Sequence, residues 1–146
     1  ADANVDPNIT DQDGYTALIY AAANGHVSVV KVLLRDERVD RNIFDKLSGS
    51  TALIFAAKER HASVVEVLLN DVRVEPNTVN KDGWTAVMFA AAQLDIPVLK
   101  VLLDDKDGIL NALVNSTGEA SSRSLRRQAT SSYDNLESLD TRKFLP

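Results

Sequence analysis

Cysteine is absent from this chain of 146 residues, tryptophan and methionine occur once each, and aromatic residues make up only 5%. Without cysteine there are no disulfides and no thiolate metal centres, and an intracellular, cytoplasmic setting is the default expectation. With so few aromatic rings, a core must be built from Ala, Val, Leu and Ile. The 45% apolar content can supply one for a single domain of this length. No apolar run approaches the roughly 18 residues of a membrane-spanning helix, so no membrane insertion is expected. Positive charge is in deficit: 16 Lys and Arg against 21 Asp and Glu leave a net charge of −5. That balance argues against nucleic acid or anionic lipid as the main partner. There is no Gly-rich phosphate loop and no Ser/His/Asp set in recognisable context, so no enzymatic activity is expected.

What the chain does have is a period. Gly14, Gly49 and Gly83 fall 35 and 34 residues apart, as do Thr16, Thr51 and Thr85. The leucine pairs Leu33-Leu34, Leu68-Leu69 and Leu102-Leu103 keep the same step. A repeat of this length implies a stacked solenoid, which offers a long surface in place of a closed pocket. The fold expected is an all-α repeat solenoid of stacked antiparallel helix pairs joined by extended, β-hairpin-like loops. The units run 11–44, 45–79 and 80–114. Residues 1–10 read as the end of a preceding unit, because Val5-Asp6-Pro7-Asn8 matches Val39-Asp40-Arg41-Asn42 and Val74-Glu75-Pro76-Asn77. The chain, which opens on Ala1, therefore reads as a piece of a longer array.

One unit shows how the sequence does this. Asp11-Gln12-Asp13-Gly14 is a turn cluster in which Gly14 can supply a positive φ. Thr16 stands where an N-cap accepts a backbone N–H, and Ala17 to Asn24 is a short, Ala-rich helix apolar on most faces. Ala21-Ala22 recurs as Ala56-Ala57 and Ala90-Ala91, so neighbouring units can approach closely. Gly25 and His26 interrupt, and Val27 to Leu34 forms a second helix with Val29, Val30, Leu33 and Leu34 on one apolar stripe. In the third unit Pro97 occupies the place of Ser28, with Asp95 before it as N-cap.

These residues resemble the ankyrin repeat family over roughly residues 5–111. The matching runs are Asp13-Gly14-Tyr15-Thr16-Ala17-Leu18 with Ala21-Ala22 and Gly25-His26, then Val29-Val30-Lys31-Val32-Leu33-Leu34, and their counterparts in the next two units. The family's Thr-Pro-Leu-His becomes Thr-Ala-Leu-Ile twice and Thr-Ala-Val-Met once. The lost histidine removes a polar tether, and its apolar replacement must be buried or left as a contact surface. One extra residue lies near Lys46-Leu47-Ser48.

The resemblance implies a protein-protein interaction scaffold whose partner, a protein or peptide, meets variable positions on the concave face. Those positions are Gln12, Asp13, Tyr15, Ala23 and Asn24 in the first unit. In the second they are Lys46, Leu47, Ser50, Lys58 and Glu59, and in the third Lys81, Asp82, Trp84, Ala92 and Gln93. Tyr15 and Trp84 are the sharpest candidates, since aromatic rings are favoured anchors. Tyr20, Phe55 and Phe89 are expected in the repeat core. His26 and His61 are equivalent positions without the further ligands that zinc needs, and Asp11-Gln12-Asp13-Gly14 lacks the rest of a calcium loop. No metal and no cofactor are expected.

The pattern fails in the Ser/Arg-rich segment 115–146. Residues 119–146 carry a net +1 and residues 1–118 a net −6. The segment reads as a linker, and the charge split is compatible with an alternative in which it is an autoregulatory cap or ligand docked on the array. Leu125, Ala129, Tyr133, Leu136 and Leu139 lie near helical spacing. Arg126-Arg127-Gln128-Ala129-Thr130 resembles a basophilic kinase substrate with Thr130 as acceptor. A further alternative is a substrate-recruiting arm of a larger enzyme or channel.

Overall fold

The computed structural model describes residues 4–104. Six helices follow one another: α1 Ala17–Ala23, α2 Val27–Leu34, α3 Ala52–Lys58, α4 Ala62–Leu69, α5 Ala86–Ala92 and α6 Ile96–Asp104. Among the described residues there is no strand, only an isolated antiparallel bridge between Phe44 and Thr51. The helices pair as α1–α2, α3–α4 and α5–α6. The first helices stack on one another as a row, α1 on α3 on α5, and the second helices as a parallel row, α2 on α4 on α6. The Ser/Arg-rich segment, its suggested amphipathic helix and Thr130 lie outside the described residues.

Each first helix starts at its threonine. Thr16, Thr51 and Thr85 have extended backbone, and their hydroxyls accept from the N–H of Ile19, Ile54 and Met88 at 3.2, 3.4 and 3.3 Å. The residues that replace the family's histidine, Ile19, Ile54 and Met88, are all buried. Burying such a side chain is worth about 2 kcal/mol, more than the roughly 1 kcal/mol net of one hydrogen bond, so the exchange does not weaken the stack. Ala21, Ala22, Ala56, Ala57, Ala90 and Ala91 are also buried, and their small size lets the rows close up. Two-turn helices are marginal alone. Here their stability comes from this packing.

The apolar stripe of the second helices needs one correction. Val64 and Val98 are buried, but their counterpart Val29 is 48% exposed. A preceding helix pair covers Val64 and Val98, whereas no helix pair lies against that side of α2 among the described residues.

The first helices end in one motif. His26, His61 and Asp95 donate their N–H to Ala21, Ala56 and Ala90, while Gly25, Arg60 and Leu94 donate to Ala22, Ala57 and Ala91. This six-to-one and five-to-two pairing needs a left-handed residue. Gly25 adopts φ +73°, and a Cβ there would lie 2.7 Å from the His61 ring. Arg60 and Leu94 hold the same place with φ +65° and +53°. A side chain in this region costs about 1–2 kcal/mol, partly offset by glycine's greater freedom when unfolded. Arg60→Gly is therefore expected to stabilise the array by about 0.5–1 kcal/mol. A higher urea midpoint with unchanged slope would show it.

Loops knit the units together. Asn8 donates to the Arg38 carbonyl at 2.8 Å and accepts from Asp40 N–H at 2.7 Å. Asn42 does the same with Arg73 and Glu75, both at 2.9 Å. Neighbouring hairpins are joined by Lys46 N–H to Asp13 C=O at 2.8 Å and Lys81 N–H to Ser48 C=O at 2.9 Å. His61 Nε2 lies 3.0 Å from the Ala23 carbonyl. One step on, Asp95 stands where His61 did, and Gln93 Nε2 takes over by donating to the equivalent Lys58 carbonyl at 2.8 Å.

Candidate functional site

The hairpin ahead of each first helix is organised by an acid or amide, of which the sequence reading named only Asp11, as part of a turn cluster. Asp11 accepts from the N–H of Asp13 and Tyr15 at 3.0 and 2.9 Å. Asn80 accepts from Asp82 and Trp84 at 3.0 and 2.9 Å. Asp45 is fully buried and takes four donors: Leu47 and Ser48 N–H, the Ser48 hydroxyl and Ser50 N–H. These are side-chain turns that pin the residue just before each capping threonine. In the first and third units that residue is aromatic. Residues 11, 45 and 80 keep the 34 to 35 step, so the recurrence itself was the signal for them.

The pinned rings meet rings one helical turn on. Tyr15 lies 5.2 Å from Tyr20 and 5.5 Å from Phe55 between centroids, and Trp84 lies 5.0 Å from Phe89. Phe55 is buried, and Tyr15, Trp84 and Phe89 are half-buried. Tyr20 departs from the expected core placement. It is 50% exposed, and its hydroxyl donates to Asp11 Oδ2. Nothing among the described residues covers its outer side, which in the next unit Tyr15 covers for Phe55.

The remaining candidates separate by burial. Gln12, Asp13 and Asn24 are exposed in the first unit, Lys46, Leu47, Lys58 and Glu59 in the second, and Lys81 and Asp82 in the third. Gln93 is half-buried, and its amide nitrogen is engaged with Lys58 as described. Ser50 is 2% exposed and cannot meet a partner. The second hairpin is one residue longer: Asp45 N–H reaches Ser50 C=O, whereas Asp11 reaches Tyr15 and Asn80 reaches Trp84. The buried Asp45 carboxylate draws Ser50 N–H inward at 2.8 Å, and Ser48 caps the hydroxyl of Ser50 at 2.9 Å.

The electrostatics follow from these bonds. The Tyr20 hydroxyl, then the Tyr15 N–H, hold the Asp11 carboxyl below its ordinary value, and Asp11 in turn raises the Tyr20 phenol. The Tyr15 phenol is raised first by burial, then by Asp45, Asp13 and Asp11. Among the described residues no group of three His, Cys, Asp or Glu is placed to hold a metal ion, and no helix is long and apolar enough to cross a membrane. The groove at the opposite loops, lined by Lys31, Leu34, Arg35, Val67, Asn70 and Arg73 among others, carries no aromatic ring.

Comparison with known families agrees with this architecture: a model of ankyrin repeats, in three copies, matches residues 2–79. The chain belongs to the ankyrin repeat family. No curated protein matches it in sequence. Ankyrin repeats are generally protein-protein interaction modules and typically non-enzymatic binding scaffolds. In this ankyrin array α5 and α6, beyond the matched residues, repeat the packing of the two pairs before them.

Proposed function

We propose that this ankyrin array holds a partner protein or peptide along the hairpin side of α1, α3 and α5, the concave face in the family resemblance. The observation that carries this reading is the set of part-exposed rings, Tyr15, Tyr20, Trp84 and Phe89, two of them on backbone fixed by a side-chain turn. Rings held this way lose little freedom on binding, so their apolar surface contributes nearly in full. Exposed Lys46, Lys58, Glu59, Lys81 and Asp82 supply a polar rim.

Trp84→Ala is expected to weaken binding of the partner about tenfold while leaving the far-UV helical signal unchanged. An unchanged dissociation constant would move the site off this face. A second reading, self-docking of segment 115–146, is favoured by the charge split of +1 against −6. A chain ending at Gly118 should then bind the partner more tightly than the full chain. Equal affinity removes the autoregulatory alternative.

A further inference from the structure

We propose that the groove at the opposite loops is the seat of this chain's own acidic, amphipathic stretch, residues 133–140. The inference rests on the self-docking reading of segment 115–146 and gives it a place away from the hairpin face. The groove has a volume of about 600 Å³ and lies between the first two units, where α2 and α4 end and their loops begin. Both of its walls are described units, so it is bounded on each side by packed helix and loop.

The lining joins cations to apolar surface. Leu34 and Val67 are half-buried in it, and Val72 on the loop is 96% exposed. Covering such a side chain is favourable. Lys31 and Arg35, one turn apart on α2, make no side-chain hydrogen bond or ion pair among the described residues. Arg73 adds a third cation, bonded on one edge to Asp71 at 3.0 Å. Asp71 is matched a second time by the buried Arg41, so only Glu37 opposes the free cations. With Arg41, four cations stand against two acids, a net +2 in a chain of net −5. In the next unit Glu66 and Asn70 stand where Lys31 and Arg35 do, so this charge is particular to the first groove and is no property of the repeat.

Such a seat calls for acidic and apolar side chains side by side. In residues 133–140, Tyr133, Leu136 and Leu139 are spaced three apart, and Asp134, Glu137 and Asp140 each follow by one. Wound as a helix, these form two adjoining stripes about 12 Å long, and the step between neighbouring units is about 10 Å. The apolar stripe then covers Leu34, Val67 and Val72, and the acidic one meets Lys31, Arg35 and Arg73. Two helical turns are marginal alone, so the stretch winds as it docks. The 28 residues between Asp104 and Tyr133 can reach roughly 90 Å, and a tethered ligand meets its seat at an effective concentration on the order of millimolar. A second copy of the chain is a poorer occupant, since its net −5 repels its like. Seated there, the stretch ties the first two units together and leaves the hairpin face open to a partner.

The chain has no cysteine, so Ser138→Cys takes a nitroxide spin label at one place. The test is paramagnetic broadening of backbone amide resonances in the full, isotopically labelled chain. The expected result is broadening centred on Arg35, Asn70 and Val72. Glu137→Arg, which lies outside the array, should abolish it, as should Arg35→Glu. The two reversals together should restore it, an outcome that net charge alone does not produce. No restoration by the pair would overturn the proposed contact. Broadening centred on Tyr15 and Trp84 would overturn this seat and leave self-docking standing, and broadening nowhere would overturn both. Broadening that persists with spin label and isotope on separate, mixed chains would move the stretch to a second copy and overturn the proposal.

Discussion

Replacing Arg41 by methionine is expected to destabilise the array by about 3 kcal/mol, the scale of breaking a buried, hydrogen-bonded ion pair. Arg41 looks like an ordinary loop residue, yet its side chain is 2% exposed. Its Nε donates to Asp71 Oδ2 at 2.9 Å, in the next unit. Nη2 donates to the Leu34 carbonyl at 2.9 Å, satisfying the end of α2, and Nη1 donates to the Val39 carbonyl. Methionine would fill the volume and leave these acceptors without their donor. Lysine would not rescue it, since one ammonium on a flexible stem cannot match a planar fork that serves three directions. Arg38→Ala, at an exposed pair screened by solvent, should cost far less. Urea unfolding followed by circular dichroism separates these outcomes, and an Arg41→Met loss below 1 kcal/mol would show the guanidinium to be replaceable by water.

The carboxylate of that pair carries an acid sensitivity, to which Arg41 contributes less than Arg73. Asp71 is held far below the usual carboxylate range, first by the Arg73 side chain and N–H and then by Arg41, against the opposing effect of burial. A depressed folded value means that the stabilisation is fully present above the unfolded value of about 4 and is lost as pH falls toward the folded one. Arg41→Met should therefore show a shallower loss of stability below about pH 4 than the parent chain.

How far the sequence could be read depends on what repeats. The threonine caps and paired alanines recur in phase and are buried as their spacing implied, whereas of the leucine pairs only Leu68 and Leu102 are fully buried and Leu103 is 37% exposed. Arg41 was hidden because nothing in the next unit copies it: Pro76 stands in its place, and its acceptors are carbonyls that only the folded loop brings together. Arg60 and Leu94 were hidden differently. They occupy the left-handed site where Gly25 marks the helix end openly, and a non-glycine residue gives no local sign of it. In the candidate site, Tyr15 and Trp84 were legible as aromatic residues before the cap. The extra residue near Leu47 was legible too, but not its consequence, the burial of Ser50. Tyr20 sits at a core position by pattern, and its exposure depends on which neighbour covers it, which pattern cannot show.

Asp45 joins stability to the docking face, and Asp45→Ala is expected to cost about 3 kcal/mol, since it leaves three N–H groups and a hydroxyl without their charged acceptor in a partly dry turn. The middle hairpin is the one that its neighbours hold: Lys46 N–H reaches back to Asp13, and Lys81 N–H reaches in to Ser48. Loosening it should speed amide exchange at both Lys46 and Lys81, and partner affinity should fall although Asp45 itself is fully buried. Asp45→Asn should cost less, because Asn80 manages the shorter third turn with two amide donors on one oxygen. It still turns an NH₂ toward a donor, so about half the loss should remain. Burial pushes the Asp45 carboxyl up, but the Ser48 hydroxyl and the N–H groups of Ser48, Ser50 and Leu47 outweigh it and hold the group below its ordinary value. Its contribution is thus present above about pH 4 and is lost as pH falls through the folded value. The alanine variant should be correspondingly less sensitive to acid. If Asp45→Ala unfolded at the parent's urea midpoint and bound the partner equally well, the hairpins would be held by their backbone bonds alone, and the positioning of Tyr15 and Trp84 would have to come from ring packing instead of the turns.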